Sequence, residues 1–168
     1  MTNLLSQGIV MIKLVNYHHK HFEQLNAYQL DEEQARFTAT IDYCVNKRND
    51  LNDLLKTIVV IIKQSQAVGF FVLDSGADKL DLTDNQQSIL IRSLSIHPDH
   101  QGRGIGTSAM MLVKDFVQQR FPGIDEIVLL VNFRNKSAYH VYVKAGYIDG
   151  GQVAVGTMGP QHVLSMSI

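Results

Sequence analysis

The sequence has little of several things that would mark a specialised class. It holds one cysteine, Cys44, and no surplus of either charge, with 15 lysines and arginines against 16 aspartates and glutamates. A formal net charge of -1 without a basic block excludes a general nucleic-acid binder, which needs a concentrated positive face. No apolar run approaches a membrane span; the longest, Ile58 to Ile62, is the length of a strand. The opening MTNLLSQGIVMIKL lacks the basic start and small-residue cleavage site of a secretory signal, so the expected location is cytoplasmic, and a single cysteine agrees with that. Cys44 has no base beside it and reads as a small core residue rather than a nucleophile. His18 and His21 lie one turn apart without a third ligand, which reads as surface histidines and leaves no metal expected. No internal repeat or low-complexity segment is present.

What is there suits one domain over residues 1–168, long enough for a core and too short for two, at 45% apolar and 18% charged residues. Ile9 to Val15 is apolar and β-branched and reads as a first strand, and Phe22 and Leu25 recur at helical spacing within His18 to Leu30. Asp31 to Thr40 opens with three acids and reads as a loop with a short helix start, followed by a helix near Ile41 to Arg48. Thr57 to Lys63 and Ala67 to Leu73 form a hairpin around Gln64, Ser65 and Gln66. After a polar loop, Asp74 to Gln87, the strand Ile89 to Ile96 carries apolar side chains on both faces, with Arg92, Ser93 and Ser95 as exceptions that need partners or line a cleft. A helix follows in which Ile105, Ala109, Leu112, Val113, Phe116 and Val117 share a face, ended by Pro122-Gly123. Ile127 to Val131 is a buried strand, and its strand-helix-strand connection implies a parallel pair. Asn135 to Ala145 is a short helix with Ala138, Val141, Tyr142 and Ala145 on one stripe. Gln152 to Thr157 and His162 to Ile168 make a last hairpin about Gly159-Pro160, whose alternating apolar end is a candidate homodimer edge. The sum is an α+β domain with a mostly antiparallel sheet and one parallel pair.

Between that central strand and the long helix lies a turn in which Gly102, Gly104 and Gly106 alternate. Such a turn permits positive φ and feeds a helix N-terminus, where free N–H groups and the macrodipole favour an anion, most simply phosphate. A Walker-type loop requires Gly-Lys-Ser/Thr, and here Gly106 meets Thr107 directly; a dinucleotide fingerprint requires G-x-G-x-x-G straight after the strand, and here the spacing is G-x-G-x-G after His97 to Gln101.

The run Gln101-Gly102-Arg103-Gly104-Ile105-Gly106 resembles the acetyl-coenzyme A motif of the GNAT superfamily of N-acetyltransferases, Gln/Arg-x-x-Gly-x-Gly/Ala. A second family element matches as Asn135, Ala138, Tyr142, Gly146 and Tyr147, and the order of strands and helices agrees over essentially the whole chain. The resemblance implies a GNAT-like fold and acetyl-CoA as cosubstrate. It implies that the amides of Arg103, Gly104, Ile105, Gly106 and Thr107 hold the pyrophosphate, with Gln101 and Gly102 shaping the turn. It further implies that the backbone of Leu94, Ser95 and Ile96 pairs with the pantetheine arm, that Asn135 contacts the same arm, and that Tyr142 is the general acid for the leaving thiolate. Arg134, Lys136 and Lys144 are candidate contacts to the ribose phosphate, although surface solvation explains each equally well.

The implied partners are acetyl-CoA and a primary amine, either of a small molecule such as a polyamine, amino acid or amino sugar, or of a protein. That amine must be neutral to attack; for a pKa of about 10.4, deprotonation at pH 7 costs roughly 4.6 kcal/mol. Many members of the family place a glutamate on the central strand as base or water-holder, and this strand has Arg92, Ser93 and Ser95 instead. Ser93 and Ser95 as a water chain, with His97 or Asp99 receiving the proton, is one reading; ordinary turn chemistry explains His97, Pro98 and Asp99 as well. Asp31 to Glu33 favour a cationic acceptor if they face the cleft, and are good helix-dipole complements if they do not. The missing glutamate also motivates the alternative of a non-catalytic acyl-CoA sensor.

Overall fold

The structure, a computed structural model, describes residues 11–168. Seven strands form one sheet: β1 (Ile12–Asn16), β2 (Lys56–Lys63), β3 (Gln66–Asp74), β4 (Ser88–Ile96), β5 (Glu126–Asn132), β6 (Ile148–Gly156) and β7 (Gly159–Ser167), in the spatial order β1-β2-β3-β4-β5-β7-β6. Every neighbouring pair is antiparallel except β4 and β5, as the strand-helix-strand connection predicts. Of the expected first strand, Ile9 and Val10 lie outside the described residues. Among the described residues no helix is long and apolar enough to cross a membrane.

Four α-helices flank the sheet: α1 (Phe22–Asn26), α2 (Glu32–Ala35), α3 (Ile105–Arg120) and α4 (Lys136–Lys144). The expected helix over His18 to Leu30 is shorter than its pattern. A 3-10 turn, His19–His21, comes first, closed by the His18 amide donating to His21 Nδ1 at 3.0 Å, so His21 caps a turn and is buried. The helix near Ile41 to Arg48 widens into a π-helical turn, Tyr43–Lys47, with the Arg48 amide reaching back to the Tyr43 carbonyl at 2.8 Å. In the β2–β3 hairpin, Gln64 and Ser65 alone make the turn, both at positive φ as a two-residue hairpin requires, and Gln66 joins β3. The last hairpin turns at Thr157 and Met158, two residues before the expected Gly159-Pro160; Gly159, at φ 99°, starts β7, and Pro160 pairs with Val155.

The main core lies between the sheet and α3 and α4. Helix α3 buries Ile105, Ala109, Met110, Val113, Phe116 and Val117, so Met110 rather than Leu112 completes the stripe, lying one turn before Val113 on the sheet side. The opposite face of β2 and β3 packs against Leu25, Ile41 and Cys44.

Strand β4 is irregular where it matters. Phe70 pairs with Ser95 and Val72 with Arg92, so Phe71 faces two residues, Ser93 and Leu94, in a β-bulge, and Ser93 takes a left-handed φ of 62°. On the other side, β4 pairs with β5 only from Ser88 to Ile91. Beyond Ile91 the strands share no ladder, and a gap opens between Arg92–Ile96 and the end of β5.

Gly69 lets the bulged strand approach. A Cβ there would lie 2.5 Å from the Ser95 carbonyl oxygen, a backbone atom that cannot swing aside. We expect Gly69→Ala to cost about 1–3 kcal/mol of stability as an overpacked contact; an unchanged denaturation midpoint would show that the bulge is not held against β3.

Candidate active site

The ladder between β3 and β4 sets which backbone groups face the gap. The His97 amide donates to the Val68 carbonyl at 2.8 Å, so by alternation the amides of Ile96 and Leu94 point away from β3, toward the gap, while Ser95 spends its backbone on Phe70. The edge thus offers Leu94 and Ile96 as a strand template. Gln101 closes its far end: Nε2 donates to the Ile96 carbonyl at 2.8 Å and to Gln34 Oε1 at 2.9 Å, while Gln34 Nε2 donates back to Gln101 Oε1 at 3.1 Å. This reciprocal amide pair ties α2 to the turn.

In the turn, Gly102 and Gly104 take φ of 70° and 79°, and Gly104 is the N-cap of α3. Gly106 does not share this role. It lies within the helix without a positive φ, and a Cβ there would make only an ordinary contact with Val141, at 3.4 Å. The first amide to close an α3 hydrogen bond is that of Ser108, to the Gly104 carbonyl at 2.9 Å. Among the described residues no acceptor takes the amides of Gly102 to Thr107. They form a row of free donors at the positive end of a sixteen-residue helix.

Across the gap, α4 begins at Asn135, whose Oδ1 caps the helix by accepting from the Ala138 amide at 3.3 Å. Tyr142, on the inner stripe of α4, is buried with its ring edge-on to Tyr147 at 5.9 Å, and burial pushes its phenol well above the usual tyrosine value. Its hydroxyl makes no hydrogen bond among the described residues. The neighbouring Tyr147 hydroxyl, by contrast, donates to the Met110 carbonyl at 3.4 Å.

The polar residues of β4 have partners on the α1–α2 side. Arg92 pairs with Asp74 at 3.0 Å and Asp78 at 3.3 Å. Ser93 Oγ accepts from Arg48, whose guanidinium also binds the fully buried Asp50 carboxylate at 2.7 Å and reaches Cys44 Sγ at 3.3 Å. Burial raises the Cys44 thiol to about 11, so it stays neutral. Ser95 Oγ meets the Tyr28 hydroxyl at 2.9 Å, and the Tyr28 ring lies 5.0 Å from His97. His97 Nδ1 accepts the Asp99 amide at 3.1 Å and caps the turn Pro98–His100. Sequence periodicity gave no sign of Arg48, Asp50 or Tyr28, since the bulge and the helix packing bring them to β4 from far along the chain.

A cleft of about 260 Å³ lies between α2 and the β5–α4 loop, lined by Glu32, Glu33, Arg36, Phe37 and Arg134. The guanidinium of Arg134 sits 5.8 Å from the Phe37 ring centroid.

Tyr28 supplies a pH signature. Burial raises its phenol to about 12, against about 10 for a solvated tyrosine. Between those values the unfolded chain sheds the proton first, so the stabilisation is complete below pH 10 and is lost as pH rises toward 12. Urea midpoints from pH 9 to 12 should fall more steeply for the wild type than for Tyr28→Phe; parallel slopes would contradict this burial.

The family model described as acetyltransferase (GNAT) family matches residues 17–147. An uncharacterized N-acetyltransferase of Bacillus subtilis (strain 168), YbbJ, is 34% identical over 154 residues, covering 91% of this chain and 95% of the relative. Among solved structures, aminoglycoside acetyltransferase AAC(6')-Ib in complex with coenzyme A and kanamycin is similar with a TM-score of 0.73 at 16% identity, covering 94% of this chain and 95% of that one. The spermidine N-acetyltransferase from Vibrio cholerae in complex with CoA and spermine is similar with a TM-score of 0.69 at 15% identity, covering 93% and 95%.

Proposed function

The chain belongs to the GNAT family of acetyltransferases, and from that premise we propose that it moves an acetyl group from acetyl-CoA to a primary amine by direct attack in a ternary complex. The observation that carries this reading is the open edge of β4 from Arg92 to Ile96, which runs into a turn whose amides have no partner. A strand-like arm fits the first and a pyrophosphate fits the second. The kanamycin and spermine held by two structural neighbours, both amines, support the acceptor class.

In this reading the amides of Arg103 to Thr107 hold the pyrophosphate, and Leu94 pairs with the pantetheine arm through the backbone groups it turns to the gap. The bound thioester supplies the activated acetyl group. Ser95 keeps the register of the edge through its bonds to Phe70 and Tyr28, and Asn135, its Oδ1 spent on the helix cap, contacts the arm through its amide nitrogen. The Ile96 amide is the donor to the carbonyl oxygen as negative charge builds there.

Tyr142 is the general acid. Its raised pKa keeps the hydroxyl protonated throughout the working range, and, having no protein acceptor among the described residues, the hydroxyl is free to donate to sulfur as the thiolate leaves.

Two variants test this reading. Tyr142→Phe should lower kcat by roughly 10²-fold or more, measured by thiol release at saturating substrates, with coenzyme A affinity retained; an unchanged kcat removes the acid role. Gly104→Val forces a branched side chain into a left-handed position at the helix cap and should abolish coenzyme A binding in calorimetric titration, while retained affinity would place the pyrophosphate elsewhere. A sensor would bind coenzyme A and release no thiol with any amine.

A further inference from the structure

Resting on that acetyltransferase reading, we propose that the acceptor is a primary amine carrying a carboxylate, with the carboxylate on Arg134 and the ammonium end drawn by Glu33 at the mouth of the cleft. The three acids that open the second helix suggest a cationic acceptor when counted along the chain. In the fold they are not equivalent. Asp31 caps α2, its Oδ1 accepting the Gln34 amide at 2.8 Å, and Glu32 pairs with Arg36 at 3.1 Å one turn along the same helix. Glu33 keeps no ion-pair partner among the described residues.

Facing it across the cleft is Arg134, also without a carboxylate partner among the described residues. Its position is held. The backbone amide donates to Asn132 Oδ1 at 2.9 Å, one Nη donates to the Met158 carbonyl at 3.3 Å, and the Phe37 ring lies beside the guanidinium. A carbonyl leaves the charge uncompensated, and the remaining guanidinium donors form the fork that matches a carboxylate. The lining of the cleft therefore includes one anion and one cation without an ion-pair partner among the described residues, the cation beside an aromatic ring. A polyamine would satisfy Glu33 and be repelled by Arg134, whereas an amino acid satisfies both. Gln34 bonds Gln101, whose Nε2 also donates to the Ile96 carbonyl, and Arg134 follows the last residues of β5, so the two walls of the cleft are joined to the ends of the two strands that part.

The test pairs acceptors that differ only by the carboxylate: lysine with 1,5-diaminopentane, ornithine with 1,4-diaminobutane, and glycine with methylamine, each with acetyl-CoA and the full chain, following thiol release. The carboxylate-bearing member is expected to have the higher kcat/KM by roughly tenfold or more. Arg134→Gln should bring that ratio close to one, chiefly through KM, and Arg134→Lys should restore part of it. Equal or better turnover of the diamines overturns the acceptor class while leaving acetyl transfer standing. Loss of coenzyme A affinity in Arg134→Gln, or an equal loss for both members of each pair, places the guanidinium on the cofactor or in the scaffold and overturns it as well. Absence of turnover with every amine, despite coenzyme A binding, overturns acetyl transfer and this inference together.

Discussion

The site depends on the parting of β4 from β5. Two parallel strands that stayed paired would satisfy each other's backbone groups and leave nothing for a ligand. Here pairing stops at Ile91, and the bulge at Ser93 and Leu94 turns the remaining five residues of β4 away. The cost is concentrated at Ser93, a non-glycine residue in the left-handed region. It is offset by contacts on both sides: the absence of a side chain at Gly69 admits the displaced backbone, and Arg48, anchored on buried Asp50, donates to the Ser93 hydroxyl.

Arg48 and Asp50 thus have a structural task beside the bulged strand. A charge pair with one partner fully buried is costly to disrupt, because the survivor is left unpaired in a poor solvent. Together with Arg92 on Asp74 and Ser95 on Tyr28, it commits each polar side chain of the bulged strand to a protein partner. No carboxylate of β4 itself is available as a base.

The regular parts of the fold were legible in the sequence because they repeat. Continuous β-branched and apolar runs located β2, β3 and the centre of β4, and the 3.6-residue stripes located α3 and α4; the single parallel pair followed from connectivity. The family motifs led to the glycine turn and Tyr142. What was not legible was long-range. Nothing in the order of residues announces that Ser93 breaks the ladder, that Gln34 pairs with Gln101 across 67 positions, or that Asp31 caps α2 and Glu32 pairs with Arg36 while Glu33 does neither. Even the three alternating glycines differ: Gly102 and Gly104 take left-handed backbone conformations, whereas Gly106 lies inside the helix without one.

The amide pair of Gln34 and Gln101 joins two regions that would otherwise move separately. Gln101 belongs to the glycine turn ahead of α3, and Gln34 to the short helix that carries Glu33. A four-residue helix has little stability of its own, so its position is set by such tethers. Whatever free energy a ligand in the turn contributes to holding Gln101 in place is felt by α2, and thermodynamic linkage requires an acceptor resting on α2 to return the same amount to the turn. The pair therefore couples the order of the turn to the order of α2, and any coupling between ligands at the two places acts equally in both directions.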